Sequence, residues 1–315
     1  MTFRKILPGL ALAAFTAFTA FAANSAFAAD KFDLSPDISN RVRAEKNQAA
    51  IAAIKPGFKF TTPGKFTVAV SPFDPPVVTY ASDAKTILGA DPDLAQLLAD
   101  SLGLELEIVP VAWADWPLGI ASGKYDAVIS NVTVTEQRKE KYDFSTYRRD
   151  LLGFYVAKNS PITDIKEPKD VAGLKLITSS GTNQEKIILD WDRQNVAAGL
   201  KPIEVQYYED SAASDLALQS GRADVRFNTN ASQAYGSLIK GNTRLVGNVN
   251  GGWPLTADIA TVTRKDAGLA DALTIATNAL IKDGKYGEVL KRWNLTAEAI
   301  PESRTNPPGL PKSGS

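Results

Sequence analysis

The 315-residue chain contains no cysteine and no histidine, and a single methionine. Without cysteine there is no disulfide, so the fold must rest on its packed core alone. Without histidine the commonest general base and the commonest metal ligand are both missing. A Ser-His-Asp triad, a Cys-His dyad and a zinc site of Cys or His ligands are therefore excluded. Chemistry by carboxylate, Lys or Tyr stays open, and neither a cofactor nor a metal is implied. An excess of charge is also missing: 35 basic and 35 acidic residues cancel, which gives no support to nucleic-acid binding. Beyond the N-terminal segment, no stretch approaches the roughly 20 apolar residues that span a bilayer.

What is present has the balance of a soluble globular protein, with 44% hydrophobic and 22% charged residues, and a length that suits two domains of ordinary size. Residues 1–28 read as a secretory signal peptide. Arg4 and Lys5 are its positive start, residues 6–23 are apolar, and Ala26-Phe27-Ala28 is an A-x-A cleavage pattern with no cysteine after it for lipid attachment. Removing its two cations leaves 33 basic against 35 acidic residues, a net charge of −2. This leader places the protein in the periplasm. Residues 29–58 form an N-terminal extension predicted to be a helix over 35–55. Ser35 and Pro36 suit its start, Ile38, Val42, Ala49 and Ile54 share one face, and Pro56-Gly57 stops it.

A βα rhythm follows. Strands are predicted at 66–70, 104–109 and 127–130. They alternate with helices at 92–102, started by Asp91-Pro92 and ended by Gly103, and at 116–122. This is a βαβαβ unit with a parallel sheet. The apolar run 151–157 leads into a second set: strands at 175–178, 203–207 and 223–227, with helices at 182–194 and 211–220. A strand at 256–263 and helices at 268–283 and 285–293 complete the pattern. Residues 301–315 are rich in Pro, Gly and Ser and are expected to be disordered.

The most informative stretch is residues 122–145, SGKYDAVISNVTVTEQRKEKYDFS. A Gly turn, a buried strand and a small-polar run lead into a short charged helix with Arg138 in its first turn. A cation is unfavourable at a helix N-terminus, which already carries partial positive charge. An anion held among Arg138 and the local N–H groups accounts for it; a solvated surface Arg is the plainer alternative. The stretch resembles the corresponding segment of the family 3 extracellular solute-binding proteins, the polar amino-acid binding proteins of ABC importers. SGT-x-QE at 180–185, LQSGRAD at 218–224 and IKDGKYGEVLKRW near the end carry the same resemblance, which runs from about residue 65 to 293.

The resemblance implies an α/β fold of periplasmic binding protein type II: two α/β lobes joined by two crossover strands at 151–157 and 256–263. Lobe 1 is 59–153 plus 257–300, and lobe 2 is 154–256. It implies that Arg138 grips a ligand carboxylate in a bidentate way. It places Asn131 and Thr133 on the ligand's polar end, although Thr133 with Glu136 also reads as a capping box. It places Trp113 and Phe73 against the ligand, where core packing is the alternative for Trp113. Trp253 suits core or rim equally. On the second lobe it brings Thr182 and Asn183 to the site. One departure concerns the ligand. Five residues after the Asp of SGRAD the family usually carries an Asp that binds the α-ammonium, and here that position is Thr229, within Asn228-Thr229-Asn230. Either another carboxylate takes over, with Asp74 the candidate, or the ligand lacks an ordinary primary ammonium. Asn228, Asn230 and Asp74 suit hydroxyls as well as amines.

The function expected is the periplasmic binding component of an ABC importer. It would be a monomer that captures a carboxylate-bearing amino acid or derivative, an opine or a sugar–amino-acid conjugate included, and delivers it to a membrane permease. An exported dehydratase resembling cyclohexadienyl dehydratase and a ligand-sensing partner of a receptor are the alternatives.

Overall fold

A computed structural model describes residues 31–208 and 210–312; the predicted signal peptide lies outside the described residues. From Lys31 onward the chain is one compact unit containing two five-stranded sheets. No described helix is long and apolar enough to cross a membrane.

The N-terminal extension departs from its expected form. Its one helix is α1 (Gln48–Ala52), capped by Asn47, whose side chain accepts the Ala50 N–H. Residues 35–46, expected to be helical, are not. Their side chains are committed to distant partners instead. Arg41 pairs with Asp93 at 3.0 Å, and Arg43 grips the Asp100 carboxylate with two contacts of 2.7 and 2.6 Å. Such tertiary anchors override a weak local helix preference. Phe32 lies between Trp293 of the first lobe and Tyr235 of the second, with ring centroids at 5.2 and 4.7 Å.

The first lobe opens with β1 (Lys65–Val70), buried over nearly its whole length. A small hairpin of β2 (Thr79–Tyr80) and β3 (Ile87–Leu88) follows. Helix α2 (Ala90–Leu102) starts from Gly89 and ends at Gly103 in the left-handed conformation. Gly89 has φ +133°, and a Cβ there would stand 2.1 Å from the Val77 carbonyl, so only glycine fits. Asp91, predicted to cap α2, is instead buried within its first turn, where it accepts the Asn131 N–H at 2.9 Å. Then come β4 (Glu105–Pro110), α3 (Trp116–Ala121), β5 (Ala127–Val128), α4 (Glu136–Lys139) and β6 (Tyr142–Arg149).

The second lobe holds β7 (Leu151–Ala157), β8 (Lys175–Thr178), α5 (Asn183–Ala197), β9 (Glu204–Tyr207), α6 (Ser211–Gln219), β10 (Val225–Thr229), α7 (Asn230–Lys240) and β11 (Thr243–Asn250). The chain then returns to the first lobe as β12 (Asp258–Arg264), α8 (Ala270–Lys282) and α9 (Lys285–Arg292). Strand orders are β4-β1-β5-β12-β6 and β11-β7-β10-β8-β9. Within them β4-β1-β5 and β10-β8-β9 run parallel. Each sheet has its own apolar core, one around Leu97, Leu98 and Leu273, the other around Phe154, Trp191 and Phe227.

The connections between lobes are shorter than expected. β7 and β12, expected to be the crossover strands, are each hydrogen-bonded inside one sheet. The crossings are Asp150, between β6 and β7, and residues 251–257, between β11 and β12. They are tied together: the Asp150 N–H donates to the Ala257 carbonyl, and the Gly251 N–H to the Asp150 carbonyl, each at 3.0 Å.

The tail, expected to be disordered, is packed through residue 312 in contact with the first lobe. Residues 303–306 lie along the free edge of β6. The Thr146 N–H donates to the Arg304 carbonyl at 3.1 Å, and the Asn306 N–H to the Phe144 carbonyl at 2.9 Å. An edge strand offers unpaired donors and acceptors, and a Pro- and Ser-rich chain can satisfy them without forming a regular element of its own.

Candidate functional site

The carboxyl ends of β1, β4 and β5 face those of β8, β9 and β10 across a cavity of about 270 Å³. Open α/β sheets present loop tips at that end, where backbone groups are not consumed by the ladder. Residues at or just past the end of each strand line the wall: Ser71, Val111 and Ser130 from one lobe, Ser179, Tyr208 and Thr229 from the other. Ten of the residues singled out from the sequence border this one cavity: Phe73, Asp74, Trp113, Asn131, Thr133, Arg138, Thr182, Asn183, Asn228 and Thr229; Asn230 and Trp253 do not.

Arg138 is held by the turn that carries it. The Thr135 hydroxyl caps α4, accepting the Arg138 N–H at 3.1 Å. The capping box expected of Thr133 and Glu136 does not form, because Thr135 occupies the cap position and Glu136 accepts the Gly309 N–H. The Arg138 guanidinium donates to the Thr133 carbonyl at 2.9 Å and, across the cleft, to the Gly181 carbonyl at 3.3 Å. It stands 5.8 Å from the ring centres of both Trp113 and Trp116. Burial lowers its pKa to about 10, with the charge of Asp150 acting the other way, so it remains a cation at neutral pH. None of the ion pairs among the described residues includes it. A guanidinium has five N–H donors, and two backbone carbonyls leave donors over for an anion.

Asn131 and Thr133 stand on a buried charged network. Asn131 adopts a left-handed backbone (φ 51°), which Asn tolerates better than most residues. Its N–H donates to Asp91, its amide Nδ2 to Asp150 at 3.4 Å, and its Oδ1 accepts from Arg148. The Thr133 hydroxyl donates to Asp150 at 3.4 Å. The Arg148 side chain is 0% exposed and pairs with Glu298, with Asp91 3.8 Å away. Burial raises the carboxyls of Asp91 and Asp150 to about 6, with Arg148 opposing in both.

A carboxyl whose folded pKa lies above its ordinary value stabilises the fold when protonated. Its contribution is full below about pH 4 and is lost as pH rises to about 6. Replacing Asp150 by Asn removes that loss. Relative to the parent, the Asp150→Asn variant is expected to gain roughly 2–3 kcal/mol of stability between pH 4 and 7, read by urea unfolding at both ends. A stability difference that does not change with pH contradicts the assignment.

On the opposite wall, Thr182 spends its hydroxyl on α5: it accepts the Glu185 N–H at 3.2 Å and donates to the Ser179 carbonyl at 2.6 Å. Asn228 accepts from Gln184 at 2.8 Å, which fixes its carboxamide. Thr229 precedes α7 without a side-chain cap bond. Asn230, considered for the ligand, accepts the Tyr155 hydroxyl at 3.2 Å instead, and Trp253 packs edge-on against Trp191 in the second core. Asp74 reaches across the cleft. Its carbonyl accepts from Ser232 at 3.2 Å and its carboxylate from Ser211 at 3.4 Å. Burial raises its carboxyl to about 6, opposed by the charges of Arg226 and Lys240. Phe73, beside it, is 41% exposed at the rim.

Two wall residues carry a buried polar atom without a partner, the Asn183 Nδ2 and the Ser71 hydroxyl. Sequence reading missed Ser71, Ser130, Gln184, Tyr208 and Ser232 as wall residues. The one available signal was their position immediately after strands or in the first turn of a helix.

Two α/β lobes, each presenting strand ends to a shared cavity with the Arg138 guanidinium, free of any ion pair, on its wall, define a two-lobed ligand-binding protein. Residues 66–296 match the model of the bacterial extracellular solute-binding proteins, family 3. The chain belongs to that family. It is similar to the L-cystine-binding protein TcyJ of Escherichia coli K12, at 34% identity over 150 residues, 47% of this chain and 53% of that protein. The chain thus spans about half the length of that relative. Similarity to the L-cystine-binding protein TcyA of Bacillus subtilis 168 is lower but longer: 26% over 231 residues, 73% of this chain and 81% of that one. Among solved structures, an ancestral arginine-binding protein bound to arginine is similar with a TM-score of 0.64 and 26% identity, covering 73% of this chain and 98% of its own.

Proposed function

We propose that the protein is the periplasmic substrate-binding component of an ABC importer, and that it captures a carboxylate-bearing amino acid or amino-acid derivative by closure of the two lobes. The observation that carries this reading is Arg138, a cation on the cavity wall that donates to two carbonyls and forms no ion pair with a carboxylate. A desolvated guanidinium with spare donors suits a carboxylate in bidentate geometry. Arg138 and Asp74 contact both lobes, as closure driven by shared contacts requires. The cystine- and arginine-binding names of the relatives favour an amino-acid core for the ligand.

The other end of the ligand is set by Thr229, a neutral residue where a family member usually has a carboxylate. A buried primary ammonium without an anionic partner is costly. Among the described residues Asp74 is the one carboxylate on the cavity wall, beside hydroxyls and amides. That mixture suits an N-substituted amino acid, such as an opine or a sugar–amino-acid conjugate, whose secondary amine and hydroxyls are shared among Asp74, Asn183 and Asn228. Thermal shift tests it with L-arginine, L-glutamine, L-cystine, octopine, fructosyl-glutamine and spermidine. The N-substituted acids are expected to raise the midpoint most and spermidine, which has no carboxylate, not at all; the size of each rise reports ligand excess over Kd. Submicromolar binding of unmodified amino acids only would sink the N-substituted assignment.

Among the described residues no Glu or Lys lines the cavity, and no acid–base pair is formed there. The raised carboxyl of Asp74 is the one feature favouring a dehydratase, and incubation with prephenate and arogenate, followed by product absorbance, decides between the two.

A further inference from the structure

The helix that carries Arg138 is four residues long. A single turn cannot hold itself, because one hydrogen bond does not offset the ordering of a helix nucleus. What holds it comes from the far end of the chain. The Leu310 N–H donates to the Val134 carbonyl at 3.0 Å, and the Leu310 carbonyl accepts the Glu136 N–H at 2.8 Å. The Glu136 carboxylate accepts the Gly309 N–H at 2.7 Å. The segment before α4 and its first N–H are thus paired with residues 309–310 as a short parallel bridge, Thr135 opposite Leu310.

The same few residues touch two other parts of the molecule. Leu310 is buried against Gly252, in the second crossing between lobes: a Cβ on that glycine would stand 2.4 Å from the Leu310 side chain. The Pro311 carbonyl accepts from the Lys186 ammonium of α5, in the other lobe, at 2.6 Å. Approach this close depends on one residue. A Cβ on Gly309 would lie 2.8–3.0 Å from the backbone of Thr135 and Glu136, so a side chain there must lift the segment away. Residues 309–311 lie beyond residue 296, where the family match stops.

We propose that residues 307–312 are a strap that positions Arg138 for the ligand and ties its helix to the hinge and the opposite lobe. Gly309 and Leu310 are then positioning residues: they touch no ligand, and they act through α4. The inference rests on Arg138 being the carboxylate grip.

Two variants of the whole chain test it, Gly309→Val and a truncation after Asn306, which keeps the β6 edge covered. Amide hydrogen exchange is followed in the absence of ligand. Exchange over residues 132–140 is expected to accelerate about tenfold or more as local opening becomes easier, while α2 and β1 keep their protection. Calorimetry with the tightest binder of the compounds named above is expected to show a Kd raised about tenfold, by loss of preorganisation rather than of a contact. Unchanged protection of residues 132–140 in both variants overturns the strap and leaves Arg138 untouched. Faster exchange with an unchanged Kd overturns the positioning role. In that case Arg138→Ala separates the causes: if it also leaves Kd unchanged, the reading of Arg138 is what failed.

Discussion

Replacing Arg138 by Ala is expected to raise the Kd for a carboxylate ligand by on the order of a hundredfold to a thousandfold, about 3–4 kcal/mol, because the ligand's desolvated carboxylate is left without its partner. Little of this loss should appear in the stability of the free protein. Arg138 makes no ion pair that would be broken, and its two hydrogen bonds go to backbone carbonyls, Thr133 and Gly181, at the edge of the cleft. Arg138→Lys keeps the charge and loses the planar fork, so an intermediate loss is expected. Calorimetric titration of all three proteins, alongside their unfolding midpoints, checks the pattern. A Kd that survives Arg138→Ala removes the residue from the site.

Replacing Arg148 by Met should do the opposite, destabilising the fold first. Arg148 is a fully buried cation that pairs with Glu298 and faces Asp91 and Asp150. Its loss leaves carboxylates uncompensated, and breaking a buried pair on one side costs about 3–5 kcal/mol. For a domain of this size that lowers the midpoint by roughly ten degrees. Combining Arg148→Met with Asp91→Asn, Asp150→Asn and Glu298→Gln should recover much of the loss, because a neutral set of similar volume has no charge to satisfy. A single variant as stable as the parent contradicts the network. The same variant should also weaken binding, since Arg148 and Asp91 together hold Asn131 in its left-handed turn on the cavity wall.

How much of this was legible in the sequence differs from element to element. The strands were readable because runs such as residues 151–157 and 175–178 are short and largely apolar between turn residues, and their observed bounds coincide with those runs. The ten site candidates border one cavity because loop tips after parallel strands are forced to one edge, so that naming the loops named the wall. The extension and the tail were misjudged for one shared physical reason. Residues 35–46 and 301–312 have composition suited to a polar helix and to disorder, but each is fixed by long-range pairs: Arg41 with Asp93, Arg43 with Asp100, Asn306 with Phe144, Gly309 with Glu136. Local propensity carries no trace of a partner 52 to 173 positions away. The same holds for Asp91, whose place before Pro92 reads as a helix cap. Its burial beneath Asn131 is visible only once β6 brings Arg148 alongside.

The central claim is that Arg138 holds the carboxylate of the ligand, and a double-mutant cycle tests it most directly. Kd is measured by calorimetry for the tightest-binding acid and for its carboxamide analogue, each with the parent chain and with Arg138→Ala. If the guanidinium and the carboxylate are partners, amidation weakens binding to the parent by about a hundredfold and makes little further difference once Arg138 is gone, a coupling well above the few tenths of a kcal/mol seen for independent sites. If the two losses simply add, the carboxylate is held elsewhere and the account of this site is wrong.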